Sequence, residues 1–569
     1  MLLNKKNLRR YYAAIFIGFN LLPNTGMSYE KDKTYNITIL HTNDHHGAFW
    51  EDYNEGTGIS ARMTLIESIR KEVLNNGGEV LLLDAGDINT GDARSEVLFA
   101  EPDIKGMNLI GYDAMVIGDH EFDNPLPILK QQASWAKFPF ISANIYEKNT
   151  DNRLFKPFTL LKKSDLNIAV IGLSTENITR FNHIEHIDNI DVRPPEKETL
   201  KVINQLEQLQ IPDITIGLSH LGYDQSVKST SKASDDVSLA NKLPKGTFDL
   251  IIGGHSHHTI CIPSIYQYRK INKNTLANCL PHYQNGTWIM QAGDSGKYVG
   301  RADFEYLNGE IKLVHYELIP VNIRYQYRGP TDEVYIENIG AQISPSKTML
   351  ELLKPYNEIA NNKIVNDRVG FVDKRLSTTV VNYDENYESK KTRLYELLMA
   401  AIIEKTAADL AIIGPESTSE SIPSGKITYL QILKSLRYYP FIEYDLSNKD
   451  ANKVVFIDLK GYELKKYIQK MYNKSFQTNV TFDINNDSSL SNIKIKNIPL
   501  DENKTYRLAT LKLYSLGLFG YPRIYDHENF METQFLSSFV FNEYIKKHTP
   551  IKADDYRPSI NTNLNNKKS

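Results

Sequence analysis

Ile37-Thr38-Ile39-Leu40-His41-Thr42-Asn43-Asp44-His45-His46 sets a short branched-aliphatic run directly before an aspartate and two histidines. The arrangement recurs four times. Val80 to Leu83 precedes Asp84-Ala85-Gly86-Asp87, and Ala114 to Ile117 precedes Gly118-Asp119-His120-Glu121. Ile214 to Leu218 precedes Ser219-His220, and Leu250 to Ile252 precedes Gly254-His255-Ser256-His257. Runs of this length and composition predict buried strands of an α/β sheet. Open α/β sheets bind ligands beyond the carboxyl ends of their strands. Five strand ends delivering only carboxylates and imidazoles therefore predict a site for divalent metals, two of them. Aspartate suits hard cations, imidazole suits zinc, manganese, iron or cobalt, and no thiolate demands a soft metal. Zinc, manganese and cobalt are the expected ions. A bridging carboxylate is needed from a central strand end, and Asp87 is the best candidate.

At 569 residues the chain is long enough for two large domains. A net charge of -3 with 24% charged residues gives no argument for nucleic-acid binding, for a membrane partner or for disorder. Lys5, Lys6, Arg9 and Arg10 precede an apolar run from Tyr11 to Leu22, and Gly26 and Ser28 stand at cleavage-site spacing. Residues 1–28 thus read as a secretory signal peptide, too short in its apolar part to anchor in a bilayer. A periplasmic or secreted address follows. Cys261 and Cys279 are the only cysteines. In an exported protein they are most simply one disulfide, worth roughly 3 kcal/mol in loop entropy.

Strand-like and helical stretches alternate across a first domain, 29–330, with Ala61 to Leu74 as an example of a helix. Residues 331–362 read as a linker containing a helix, which Pro355 should kink or interrupt. A second domain spans 363–556, with a helix at Arg393 to Thr406 and strands at Val454 to Leu459, Val480 to Ile484 and Tyr506 to Leu511. The tail 557–569 is expected to be disordered.

Five segments together, HTNDHHGAFW (41–50), LLLDAGDINTGD (81–92), GYDAMVIGDHEFDNPL (111–126), IIGGHSHH (251–258) and GKYVGRADFEY (296–306), resemble the secreted 5'-nucleotidases. The resemblance is to the periplasmic bifunctional UDP-sugar hydrolase/5'-nucleotidase branch of the calcineurin-like metallophosphoesterases. It implies a four-layer αββα catalytic domain, a linker helix and an α/β C-terminal domain that binds substrate. It further implies that a metal-activated hydroxide attacks the phosphorus of a nucleoside 5'-phosphate or nucleotide sugar. By the family pattern Asp44, His46 and His257 hold one metal, His220 and His255 the other, and Asp87 is shared. His120 and Asp123 form a dyad beside the phosphate, suited to electrostatic or general-acid assistance. His45 falls between two ligands and should face away. His258, His282, His183 and His186 have no distinguishing spacing and are expected on the solvated surface.

The chain departs from the family at two places. Asp119 stands where the family has asparagine, as the remaining ligand of the second metal. One extra negative charge roughly 5 Å from a phosphate costs about 3 kcal/mol at an effective dielectric of about 20, which predicts turnover slower by roughly 10–1000-fold. In the second domain, Ile413-Gly414-Pro415-Glu416-Ser417-Thr418 lacks the family's glycine repetition and arginine. Phe441 keeps one base-sandwiching aromatic, while Leu513 takes the position of the other, beside Tyr514, which could compensate. Phe519 and Lys390 replace a family aspartate and asparagine. The rival reading is a catalytically weakened, metal-binding relative that serves as a ligand- or partner-binding protein.

Overall fold

The structure is a computed structural model that describes residues 29–51, 58–181, 184–209, 212–224, 234–260, 280–328, 334–378, 392–414, 417–437, 451–472, 476–485 and 487–556. The segment 1–28, the tail 557–569, Cys261, Cys279, His183, Lys390 and Phe441 lie outside the described residues. The chain divides into two compact units, 1–358 and 359–569.

In the first unit the five aliphatic runs form strands Tyr35–Thr42, Glu79–Asp84, Ala114–Val116, Ile214–His220 and Leu250–Ile252. Tyr35–Thr42, Glu79–Asp84, Ala114–Val116 and Phe140–Ile141 run parallel in one six-stranded sheet, whose far side closes antiparallel with Tyr298–Leu307 and Glu310–Pro320. The second six-stranded sheet sets Leu166–Ser174, Ile214–His220, Leu250–Ile252 and Thr287–Met290 parallel, with antiparallel strands at both edges.

Strand side chains alternate between faces, and the cores follow that period. Ile37, Ile39, Leu81, Leu83 and Val116 meet Ile168, Val170, Ile216, Leu218 and Ile252 between the sheets. Leu40, Leu82, Met115 and Ile117 face outward onto Ile66, Ile69, Ile104 and Met107 of helices Ile59–Asn75 and Glu101–Ile110. Ala169, Ile171, Ile251 and Ile289 face Val202, Leu206 and Leu239 of helices Pro195–Leu209 and Asp236–Lys242. Three cores between four layers give the αββα order. Both sheets direct their parallel strand ends to one rim.

The helix Lys347–Asn366 continues through Pro355, so the expected interruption does not occur. Its early residues Met349 and Leu353 are buried in the first unit's outer core, and the unit boundary falls within it, after Glu358. The second unit is built on a five-stranded sheet whose centre is Leu410–Ile413, Thr505–Leu511 and Lys453–Lys460. Helix Arg393–Thr406 opens on Thr392, whose hydroxyl accepts from the Tyr395 N–H at 3.3 Å.

His41 is a strand residue that the aliphatic pattern does not explain. It is fully buried, lies opposite Gly300 on the neighbouring antiparallel strand and stacks on Tyr316 with ring centroids 6.1 Å apart. A Cβ at Gly300 would lie 1.9 Å from His41 Nε2, so the glycine makes room for the ring. Neither ring nitrogen has a hydrogen-bond partner, and burial pushes the imidazole down to about 3. The folded state therefore holds His41 neutral where the unfolded chain would protonate it. Stability from this site is present above the unfolded pKa near 6.5 and is lost progressively as pH falls toward 3. Denaturant titrations of metal-stripped wild type and His41→Leu between pH 7 and 5 should show a shallower acid-side decline in the variant. The difference should be on the order of 1 kcal/mol per pH unit. Equal slopes would mean that His41 does not stay neutral in the folded protein.

Candidate metal centre

Each metal-site loop leaves its strand abruptly. Asp44, His46, Asp87, His255 and His257 have φ of 52°, 49°, 59°, 73° and 57°. Left-handed backbone costs a non-glycine residue roughly 1–3 kcal/mol, and aspartate and histidine tolerate it better than most. Backbone hydrogen bonds knit the loops together and hold that geometry. Asp44 N–H donates to Gly86 O at 2.9 Å, His46 N–H to Asp87 O at 3.0 Å, and Gly47 N–H to Ile88 O at 2.9 Å. Asn43 adds a cross-tie, accepting from Ala292 N–H at 2.8 Å while donating to Asp44 and Gly293 O at 2.5 Å each.

The result brings together all seven sequence-predicted ligands in two adjoining groups. Asp44, His46 and His257 offer donor atoms within 4.8 Å of one another, and so do Asp87, Asp119, His220 and His255. His257 Nε2 lies 3.3 Å from Asp44 Oδ1 and 3.1 Å from His46 Nε2. Asp119 Oδ1 lies 3.2 Å from His220 Nε2 and 2.8 Å from His255 Nδ1. Asp87 Oδ2 faces both groups, 3.0 Å from His220 Nε2 and 4.0 Å from His46 Nε2. Asp87 Oδ2 and His220 Nε2 are buried and face each other at the middle of the donor set, where a cation would find both. The opposite nitrogens are held by the protein. His220 Nδ1–H donates to Ala85 O at 2.5 Å, and His46 Nδ1 faces the carbonyls of Asn89 and Thr90 at 3.2 and 3.1 Å. Such contacts fix ring orientation and turn Nε2 toward the donor groups. An all-oxygen-and-nitrogen set of seven donors fits two hard or borderline divalent ions.

Electrostatics points the same way. Burial raises Asp87, and the neighbouring Asp119 raises it further. Burial would also raise Asp119, but His255 and His220 hold it well below the usual range. Burial would lower His220, yet Asp87 and Asp119 lift it well above its usual value. The carboxylates gather positive charge wherever they can find it.

His120 sits beside these groups, its ring centroid 4.9 Å from that of His46. Its Nδ1 donates to Asp123 Oδ2 at 2.6 Å, and the Thr90 hydroxyl donates to the same carboxylate. The other nitrogen, Nε2, lies 4.0 Å from Asp119 Oδ2. Burial alone would lower His120; Asp123 and then Asp87 push it up to about 10.

His45 faces away from the two groups, into a buried network. Arg62 donates to its Nδ1 at 2.7 Å, so Nε2 carries the proton and donates to Asp84 Oδ2 at 2.6 Å. His186 and His282 were expected on the solvated surface but are half-buried, one against the Phe122 carbonyl and the other against the Tyr223 hydroxyl. Glu121 was not assigned a role from sequence, although it belongs to the Gly118 to Glu121 segment. Its carboxylate accepts from the N–H groups of Asp87, Ile88 and Gly118 at 3.0, 2.9 and 2.7 Å and so ties two metal-site loops together. Tyr514 needs correction. It is fully buried, hydrogen-bonded to Ser417 at 2.9 Å and packed 4.4 Å from the Tyr521 ring, so it has no free face for a base. Leu513 is equally buried.

Residues 37–259 match the calcineurin-like phosphoesterase family, and residues 369–525 match the 5'-nucleotidase C-terminal domain. The protein UshA of Yersinia enterocolitica is 41% identical, with 96% of this chain and 97% of that protein aligned. A 5'-nucleotidase of Vibrio cholerae is 38% identical over 93% of this chain and 94% of its own length. Among solved structures, the NAD nucleotidase of Haemophilus influenzae shares the fold at a TM-score of 0.74 and 17% identity, covering 92% of this chain and 98% of that one.

The purified protein should bind close to two divalent ions per chain. Because Asp87 Oδ2 faces both groups, Asp87→Ala should lose most of both ions while remaining folded by circular dichroism. Full occupancy of the variant in elemental analysis would overturn the shared role.

Proposed function

The chain belongs to the 5'-nucleotidase family of calcineurin-like phosphoesterases, and from that premise we propose a two-metal hydrolase acting on nucleoside 5'-phosphates and nucleotide sugars. The observation that carries the reading is Asp87, whose carboxylate faces both donor groups beside His120. Asp44, His46 and His257 would hold one ion and Asp119, His220 and His255 the other, with Asp87 between them. Zinc, manganese or cobalt fits this donor chemistry. Two bound ions supply Lewis acidity that activates a water and offsets charge on the phosphoryl oxygens.

The chain's own residues supply the rest. Asp123 fixes the His120 ring so that Nε2–H points toward the centre, where it stabilises charge developing on phosphate or on the leaving oxygen. The water oxygen bonds to phosphorus as the bond from phosphorus to the leaving oxygen breaks. Asp119 works against this step. Its Oδ2, on the His120 side, is an acceptor where an asparagine amide would donate, and it brings a charge that repels the substrate. Residues of the second domain, Phe441 among them, are the proposed contacts for the nucleoside.

Export to the periplasm or medium is part of this reading. It rests on the basic-then-apolar pattern of residues 1–28, and among the described residues no helix is long and apolar enough to cross a membrane. N-terminal sequencing of protein recovered from the periplasm or medium should begin at Tyr29. Intact Met1 on all of the protein, retained in the cytoplasm, would overturn it.

Phosphate release should be measured on a nucleoside 5'-monophosphate and a UDP-sugar with manganese, cobalt and zinc supplied separately. Activity is expected with at least one ion. No release from fully metallated protein would favour the weakened, ligand-binding relative. Asp119→Asn should raise kcat on the monophosphate by about 10–1000-fold, the scale of the charge penalty. Adding His120→Ala should abolish that gain. An unchanged kcat in fully loaded Asp119→Asn would show that the carboxylate does not limit the chemical step.

A further inference from the structure

The four candidate histidine ligands are not held alike. His46 and His220 turn Nε2 toward the donor groups and rest Nδ1 against backbone carbonyls, while His257 turns Nε2 toward Asp44 with Nδ1 3.6 Å from Asp294. His255 is reversed. Its Nδ1 faces Asp119 Oδ1 at 2.8 Å, and its Nε2 meets the side-chain amide of Asn177 at 3.2 Å. Asn177 comes from a separate strand end, in the loop after Leu166–Ser174, where its own N–H donates to Thr175 Oγ1 at 3.2 Å. The residue is buried, and its Oδ1 has no hydrogen-bond partner.

An orphaned buried amide oxygen is costly, on the order of 1–3 kcal/mol, and the two ends of an asparagine amide are interchangeable in shape. The orientation present here donates Nδ2–H to a bare Nε2. That requires the His255 proton on Nδ1, where it points at Asp119. A cation in the Asp87, Asp119, His220 and His255 group needs the opposite tautomer, with a lone pair on Nδ1 and the proton on Nε2. Rotating the Asn177 amide by half a turn would set Oδ1 against that proton. An aspartate could serve only the second arrangement, and an aliphatic residue neither.

We propose that Asn177 is a positioning residue for His255, whose amide reverses as metal binds and thereby accommodates both tautomers of the ligand. The proposal rests on the ligand set given under the proposed function. It makes the site that contains Asp119 dependent on a side chain that touches neither metal nor substrate. An orienting partner of a ligand histidine typically sets metal affinity within about 10–100-fold.

The test is the affinity of each metal site, measured by competition of zinc or cobalt against a chromophoric chelator, in wild type, Asn177→Leu, Asn177→Asp and His255→Ala. Asn177→Leu should weaken one of the two sites by about 10–100-fold and leave the other within about twofold. Asn177→Asp retains an acceptor for Nε2–H and should keep the affinity at or above wild type, which separates orientation from general loss of structure. His255→Ala, the control on the ligand set, should lose one site. If His255→Ala keeps both ions, the ligand set itself fails. If His255→Ala loses one ion while Asn177→Leu binds both as tightly as wild type, or Asn177→Asp is as weak as Asn177→Leu, the positioning role fails and the ligand set stands.

Discussion

Three carboxylates, Asp44, Asp87 and Asp119, are buried within one small volume, and like charges so confined must be neutralised or dispersed. Much of the first unit answers that demand. Backbone N–H groups of His255 and His120 donate to Asp44 and Asp87 at about 3 Å. Asp87 and Asp119 hold His220, and Asp123 and Asp87 hold His120, above the ordinary imidazole range against the pull of burial. Protonated imidazoles are only a partial remedy, because the nitrogens that carry the charge are the ones that face the donor groups. Two divalent ions would satisfy the carboxylates and release those nitrogens as ligands. The αββα layering serves this requirement, since two parallel sheets opening onto one rim can bring loops together from positions more than 200 residues apart in sequence, as Asp44 and His255 show.

The parallel strands were legible because both of their faces are buried, which makes them continuous aliphatic runs. Helix Arg393–Thr406 was legible to its ends because Thr392 caps it. The donor residues were legible because each follows a strand directly, so its place in the chain already gives its place in space. What escaped the reading depends on contacts between loops. The Arg62–His45–Asp84 network joins a helix to two strand ends, and Asn177 reaches His255 from a loop with no pattern of its own. His41 had no reading from sequence, and its pairing with Gly300 shows how the strand makes room for its ring. Tyr514 failed for the opposite reason. Alignment placed it beside a base-binding position, but the local packing of Ser417 and Tyr521 uses both its hydroxyl and its ring. At Pro355 the helix runs on without a break, and the turns before it are fixed by the packing of Met349 and Leu353.

Asp119 and Asn177 act on the same histidine from opposite sides. The carboxylate faces Nδ1 and the amide faces Nε2, so the ring is gripped between an anionic and a neutral partner. Placing the charge on the metal side strengthens the hold on a cation and weakens the welcome for an anionic substrate. Under the proposed function, that placement would favour metal retention over turnover at the site that contains Asp119.

The left-handed backbone at five of the seven donors also restricts what this site can become. Aspartate, asparagine, histidine and glycine tolerate that conformation best, whereas β-branched and bulky side chains adopt it only at greater cost. Single substitutions that preserve the loops are therefore drawn from a narrow set, whose ligating members offer only oxygen and nitrogen. A lineage descended from this chain can drift between hard and borderline ions, or lose a ligand altogether, far more easily than it can acquire a thiolate site. Its evolutionary neighbourhood is fenced by the main chain.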